Sequence, residues 1–408
     1  MIQSGLPQSR MPVHNSRYLK ASNRRRILRL IRRGPVARSE LAFETGLTRA
    51  AMTRIVGDLI EEGLLVESGR RSSAAGRKPV LVELRPDYAC AMGLTLSRTG
   101  AAVGLIDLAG RLLLDRSVEI AGAPRSTALR HLKQGLRRIL AAPRPAGSRM
   151  LGLGISAPGP IDTRNGTVLN PPNFDLWHGA NLVAEFREIC GDNVFLENNS
   201  TALTMAEKAY GKGRECGNFL LLVVESGIGA GIVQRGELYR GWHGFGSEVG
   251  HTSVNLQGPV CGCGLPGCVE LYASVPNVLR RAREQKPGIT SWQEFVNLAL
   301  EGDRFCQRLL EGQARALGTA IVNVLNVLEL EAVVLTGDIL CRGELLRSLV
   351  ERFINQSAIN RRLHRIPVYL SPLVERAELM AAAAIVTEAF FQGDIGAETA
   401  KRKVNEAP

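Results

Sequence analysis

The chain has 408 residues, 45% apolar and 22% charged, the proportions of a soluble globular protein with room for two or three domains. Its most notable apolar run, Phe219 to Val224, is far shorter than the roughly 20 residues that span a bilayer, and no long apolar segment follows the basic N-terminal residues, so a membrane or secreted protein is not expected. The net charge is +12, and residues 1–85 hold 17 Lys and Arg against 7 Asp and Glu, a net of +10, which implies a polyanion-binding module joined to a nearly neutral body.

The first 16 residues, with Pro7 and Pro12, read as flexible. Leu19, Ile27, Leu28, Leu30 and Ile31 suit a helix from Tyr18 to Ile31, ended by Gly34-Pro35. Ser39 is a good N-cap for a short helix over Glu40–Thr45. Gly46 turns the chain, and Thr48 caps a third helix. There Met52, Ile55, Val56, Leu59 and Ile60 fall at i, i+3, i+4, i+7 and i+8, a single buried stripe. Arg49, Ala50, Thr53 and Arg54 lie on the opposite face near the start of that helix. They are small, polar or basic, as a helix entering the major groove requires. Leu64–Val66 and Pro79–Val82 read as strands flanking a wing, Ser68–Lys78, whose Arg70, Arg71, Arg77 and Lys78 can reach phosphates or the minor groove. Residues 1–86 are therefore expected to form a winged helix-turn-helix that binds a palindromic double-stranded DNA operator.

From Tyr88 onward, strand-like and helical stretches alternate. Ala91–Ile106 and Arg111–Glu119 give an opening hairpin pattern, Thr127–Leu140 a helix, and Leu151–Ser156 and Asn193–Leu196 short buried strands. A second set begins near Phe219. It has a hairpin of Phe219–Val224 and Gly231–Val233, a long apolar helix over Arg315–Leu328 and a buried strand over Ala332–Thr336. Such alternation means α/β layers, and two halves of similar order predict two lobes with a ligand cleft between them. The first lobe is expected over 87–200, with a helix at about 378–392 returning to it. The second spans 201–377, and 393–408 reads as a flexible tail.

Three of the eight cysteines, Cys261, Cys263 and Cys268, fall within eight residues, and His251 lies ten residues before the first. One His and three Cys make a tetrahedral ligand set for Zn2+, and four protein ligands leave no open position, so the metal is expected to be structural. The intervening glycines let the backbone bend so that the thiolates converge. The other cysteines are scattered without disulfide-like spacing, which fits a reducing cytoplasm.

The segments Leu151–Asp162, Glu197-Asn-Asn-Ser-Thr201, Gly227-Ile-Gly-Ala-Gly231, Gly244–His251 and the cysteine cluster ending in Glu270 together make the chain similar to the ROK family of repressors, open reading frames and sugar kinases, from about residue 17 to 390. The resemblance implies an actin-like, hexokinase-like two-lobed body with zinc on the His and three Cys. It further implies that Asn198, Asn199, Glu248, His251 and Glu270 hold a sugar, with Asn173 and Trp177 in a further sugar-facing loop. The chemistry agrees, since carboxylates and amides offer paired donors and acceptors to hydroxyls. His251 can bind the metal through one ring nitrogen and donate from the other.

The sequence departs from the kinases it resembles in three places. Where they carry an Asp-x-Gly-Gly-Thr type phosphate loop, this chain has Gly93–Gly100, with Thr95 in place of the Asp and Ser97 and Arg98 in place of glycines. Where they use the Asp of Glu-Asn-Asp as catalytic base, it has Asn199, an amide that cannot accept the hydroxyl proton. Thr336–Leu340 stands where they have a glycine run near the nucleotide. The expectation is thus a sugar-responsive repressor that is not an enzyme, a homodimer or dimer of dimers because such heads pair on two half-sites. The alternatives are a sugar kinase with a DNA-binding head and a repressor controlled by a protein partner.

Overall fold

The structure, a computed structural model, describes residues 16–70, 79–98, 100–242, 244–359 and 362–395. The expected flexible start and tail fall largely outside these residues, as do Arg71, Arg77 and Lys78 of the wing. The chain divides into two compact units, Met1–Tyr88 with Ala389–Pro408, and Ala89–Glu388. Among the described residues, no helix is long and apolar enough to cross a membrane.

The first unit contains α1 (Ser16–Ile31), β1 (Val36–Ala37), α2 (Arg38–Thr45), α3 (Arg49–Glu61), β2 (Leu65–Arg70) and β3 (Val80–Leu84). Met52, Ile55, Val56 and Leu59 of α3 are buried with Ile27, Leu28 and Ile31 of α1, Leu41 of α2 and Val82 of β3. Ile60, expected in the same stripe, is only half-buried. Thr48 caps α3 by accepting from the Ala51 amide at 3.2 Å. Ser39 does not cap α2. The extended backbone of Val36–Ala37 pairs with β3, so the helix starts at once after Ala37, whose amide donates to Glu40 Oε2 at 3.4 Å. Strand pairing across the chain outweighs the local capping preference. The ion pairs Arg24–Glu62 at 2.6 Å and Arg38–Glu67 at 2.8 Å tie the elements together at the surface.

The body contains two sheets of one design. In the first half, β4 (Ala89–Leu96), β5 (Ala101–Asp107) and β6 (Leu112–Val118) form an antiparallel meander, so the stretch read as one run over Ala91–Ile106 is two strands around a turn. After α4 (Arg125–Ala141), β7 (Arg149–Ala157) joins β4 in parallel. A small ribbon, β8 (Ile161–Asp162) and β9 (Thr167–Val168), and α5 (Leu182–Cys190) lead to β10 (Val194–Asn198), parallel to β7, and then to α6 (Asn199–Tyr210). The second half repeats the plan. Strands β11 (Phe219–Val224), β12 (Ile228–Gln234) and β13 (Glu237–Tyr239) form the meander. Helices α7 (Glu270–Ala273), α8 (Val275–Gln285), α9 (Trp292–Leu300) and α10 (Arg304–Leu328) precede β14 (Ala332–Thr336), which pairs in parallel with β11. Then α11 (Glu344–Ser357) and β15 (Val368–Leu370), parallel to β14, complete the sheet before α12 (Ala377–Gln392). Asp303 caps α10, which begins at Arg304, eleven residues earlier than the sequence reading, accepting from the Cys306 amide at 2.9 Å while ion-paired to Lys286 at 2.5 Å.

Alternate residues of β11 explain its unbroken apolar run. Leu220, Leu222 and Val224 face a core with α8–α11, while Phe219, Leu221 and Val223 face a layer that contains Ala202 and Met205 of α6 and Ala381, Ala384 and Ile385 of α12. A strand covered on both faces needs no polar alternation. The other core joins β4, β5, β7 and β10 to α4 and α5.

Small residues let α12 press on the first sheet: a Cβ at Gly154 of β7 would overlap the Ala382 carbonyl. Gly154→Ala is expected to lower the unfolding free energy by roughly 3 kcal/mol, measured by urea melts. An unchanged midpoint would show that the helix backbone does not approach that strand.

Candidate functional site

The site is organised around the backbone of Ile228 at the start of β12. Its amide donates to Glu270 Oε2 at 2.9 Å, which fixes the first residue of α7. A Cβ at Gly250 would overlap the Ile228 carbonyl, and one at Gly229 would overlap Ser200 Oγ. Three segments distant in sequence, the start of α6, the turn at Val249–His251 and α7, therefore meet on a backbone that side chains would hold apart.

Asn198, Asn199, Glu248, His251 and Glu270 lie on these segments. Asn198 caps α6, accepting from the Ser200 amide at 2.9 Å, and its Nδ2 fills the space that a Cβ on Gly159 would need. Asn199 Oδ1 is buried without a hydrogen-bond partner, an acceptor with unused capacity. Glu248 keeps a solvent-accessible edge, but the protein around its carboxyl raises it above the ordinary carboxylate range. The His251 ring opposes that rise, and the Glu270 carboxylate adds to it. Asn173, by contrast, sits on an exposed loop with left-handed backbone, φ 56°. Arg98 holds that loop by donating to the Pro172 carbonyl at 3.1 Å. Trp177 is not sugar-facing. It is 1% exposed and packs in the first core, where its ring contributes more as apolar area than it could at a cleft.

The metal-type ligands converge. One donor atom from each of His251, Cys261, Cys263 and Cys268 lies within 4.8 Å of the others. Cys261 Sγ is 3.7 Å from His251 Nδ1, and Cys263 Sγ is 3.5 Å from Cys268 Sγ. A tetrahedral ion with bonds of roughly 2.0–2.3 Å spaces its ligands by roughly 3.3–3.8 Å, so the donor set fits a metal. Burial and the neighbouring thiols push Cys268 up to about 12, whereas a hydrogen bond from the Leu265 amide pulls Cys263 down. A bound cation would ionise both. With Nδ1 toward the thiols, His251 Nε2 is the nitrogen left for a ligand.

A separate cavity of about 580 Å3 is lined by Thr95, Ser97, Glu225, Asp338 and Glu378 among others, but not by the sugar-type residues. Burial first, then Glu378 and Asp338, push Glu225 up to about 7. Asp338 and Glu378 are also raised by burial. Thr95 Oγ1 donates to Glu378 Oε2 at 3.4 Å. Neither Glu225 nor Glu378 was singled out from the sequence, because they are distant in the chain from the cleft motifs or lie just outside them.

In the first unit Arg49, Ala50, Thr53 and Arg54 are all exposed on one face of α3. Neither arginine pairs with a carboxylate among the described residues, so both charges remain available to a polyanion.

An exposed basic helix face on a winged helix, joined to a duplicated α/β body with a cleft and a thiol-rich metal loop, defines a DNA-binding regulator built on a sugar-kinase chassis. Comparison with known proteins agrees. Residues 91–389 match the ROK family and residues 22–78 match the MarR family; the chain belongs to the ROK family and carries a MarR-type winged-helix head. It is 28% identical over 387 residues to the xylose repressor of Caldicellulosiruptor bescii, covering 91% of this chain and 97% of that protein. It is 31% identical over 317 residues to the glucokinase of Thermotoga maritima, covering 73% of this chain and 97% of the enzyme. The crystal structure of a ROK family transcriptional regulator, homologue of the Escherichia coli Mlc protein, superposes with a TM-score of 0.75 at 26% identity, covering 92% of this chain and 98% of that one.

Two outcomes follow from the geometry. Metal analysis of the purified protein is expected to find about one ion per chain. In Cys268→Ser the ion is lost and the melting midpoint falls by about 5 °C; full metal content in the variant would mean that the thiols do not form one site. The raised Glu225 carboxyl binds more protons folded than unfolded between the ordinary glutamate value of 4.5 and about 7, so its contribution to stability falls as pH rises through that window. Glu225→Gln should accordingly gain stability over the parent at pH 8 and none at pH 4, as read by denaturant melts. An equal difference at both pH values would contradict the burial of that carboxyl.

Proposed function

We propose that this chain is a sugar-responsive transcriptional repressor of carbohydrate-metabolism genes, whose kinase-type cleft binds a sugar without phosphorylating it. The observation that carries this reading is the combination in one chain of a basic, exposed α3 face with a sugar-type pocket in which the neutral amide of Asn199 occupies the position of the base. An amide can accept from or donate to a sugar hydroxyl, but it cannot take up its proton. The lining of the neighbouring cavity favours the same view. Three carboxyls, Glu225, Asp338 and Glu378, share that lining with one basic side chain, Arg376, which is ion-paired to Asp115, and Arg98 is engaged with Pro172 and Ser226. Similarity to a repressor over 97% of that protein's length supports the regulatory reading. Similarity to a glucokinase marks the ancestry of the cleft.

In this reading Asn198, Asn199, Glu248, His251 and Glu270 hold the sugar, with Asn173 at the rim. Zinc on His251, Cys261, Cys263 and Cys268 fixes the His251 tautomer and the approach of α7. It supplies no reaction chemistry, because its four positions are filled by protein. Arg49, Ala50, Thr53 and Arg54 face the bases, and Arg71, Arg77 and Lys78 contact the backbone from the wing. The protein acts as a homodimer or dimer of dimers on a palindromic operator. Sugar binding shifts the balance between DNA-competent and released states, for which a coupling of about 1–3 kcal/mol suffices.

The test pairs operator and effector. Duplexes selected from a random library by the intact protein define the operator. Arg54→Ala should weaken that complex by roughly 1–3 kcal/mol at fixed salt, measured by fluorescence anisotropy, whereas an unchanged affinity removes α3 from the base contacts. A melting screen with D-xylose, D-glucose and N-acetyl-D-glucosamine at about 100 times the dissociation constant should show a stabilisation of about 2.7 kcal/mol for at least one sugar. Stabilisation by none of them, with operator binding intact, would contradict sugar control.

A further inference from the structure

Glu197 is the penultimate residue of β10, just before Asn198, with its Cα opposite Ser156 of β7, and is 4% exposed. A carboxylate in that position is costly unless its charge is paired and its lone pairs are used. Both conditions are met. Glu197 Oε1 accepts from the Asn198 amide at 3.1 Å, and Oε2 accepts from Arg240 Nη1. Arg240 follows β13 in the second half of the body, so this ion pair crosses from one half to the other.

The rest of Arg240 points to why the pair matters. Its own carbonyl accepts from the Gly246 amide at 3.4 Å, closing the turn that delivers Ser247 and Glu248. One residue thus grips both banks of the pocket: its side chain holds Glu197 and through it the backbone of Asn198, and its main chain holds the segment entering Glu248. Its side chain as a whole is 47% exposed, while its Nη1 reaches the buried Glu197 carboxylate.

We propose that Arg240 is a positioning residue of the effector pocket, setting the separation between the Asn198–Asn199 bank and the Glu248–His251 bank by neutralising Glu197. This rests on the sugar-binding reading above. It adds a residue that touches no sugar in that reading and whose partner lies 43 residues away in the chain. If the two banks are fixed by this pair, affinity depends on the charge balance and not on the arginine as such. Arg240→Met leaves Glu197 buried and unpaired, which frees the Asn198 backbone. Adding Glu197→Gln removes the stranded charge while keeping an oxygen for the Asn198 amide.

The experiment is isothermal titration of the intact, metal-loaded protein and three variants with D-xylose, D-glucose and N-acetyl-D-glucosamine, with operator affinity measured in parallel. Arg240→Met is expected to weaken binding of whichever sugar the parent binds by at least about tenfold. Arg240→Lys should weaken it by less, and Arg240→Met with Glu197→Gln should recover to within about threefold of the parent. Operator affinity without sugar should be unchanged in all three. Parent-like binding in Arg240→Met, or no recovery in the double variant, overturns the positioning role while leaving sugar sensing intact. A parent that binds none of the sugars overturns both. If Arg240→Met alone fails to fold, the double variant, which strands no charge, decides: sugar affinity within about threefold of the parent supports the proposal, and any larger loss overturns it.

Discussion

The site depends on close backbone approach at Ile228. A peptide unit there donates to Glu270 and lies beneath Gly250, and its neighbour Gly229 lies beneath Ser200. The Gly250 and Gly229 contacts are possible only because a Cβ is missing, and each of the three brings a different segment of the pocket to the same strand. The metal loop extends this constraint. His251 follows Gly250 directly, and Cys268 precedes Glu270 by two residues, so a bound ion would clamp the two segments that Ile228 holds. Packing, hydrogen bonding and metal chemistry therefore converge on one short stretch of β12.

The body carries the same sheet twice, and both halves contribute residues to the sugar-type site and to the cavity. Near the sugar-type residues the polar groups are amides, a histidine and carboxylates suited to hydroxyls. In the adjoining cavity Glu225, Asp338 and Glu378 crowd together, each pushed upward by burial. Arg376, the basic residue of that lining, is taken up by Asp115, and Asn199 offers no base. Those two features bear on different ligands and lie on different elements, which gives the view of a cleft that senses and does not transfer two independent supports.

Much of this was legible in sequence because the signals were local. The stripe on α3, the exposure of Arg49, Ala50, Thr53 and Arg54 and the convergence of the four His and Cys side chains all follow from spacing within a few residues. What was not legible depended on distant pairing. Ser39 lost its capping role to the β1–β3 ladder. Cys306, Leu310, Ala314, Leu317 and Ile321 extend the buried stripe of α10 back to its start at Arg304, which is fixed by the Asp303 cap and its ion pair with Lys286 just after α8. Trp177 looked cleft-facing from its motif and is core. Glu378 meets Thr95 across 283 residues, and no window of sequence contains both.

The central claim is that the cleft recognises a sugar and leaves it unchanged. The most direct measurement incubates the metal-loaded protein with ATP, magnesium and each sugar that raises its melting temperature, and follows the sugar by mass spectrometry. The account predicts unmodified sugar at every time point, with no ADP above the protein-free control. Accumulation of a sugar phosphate that disappears in Asn199→Ala would contradict it.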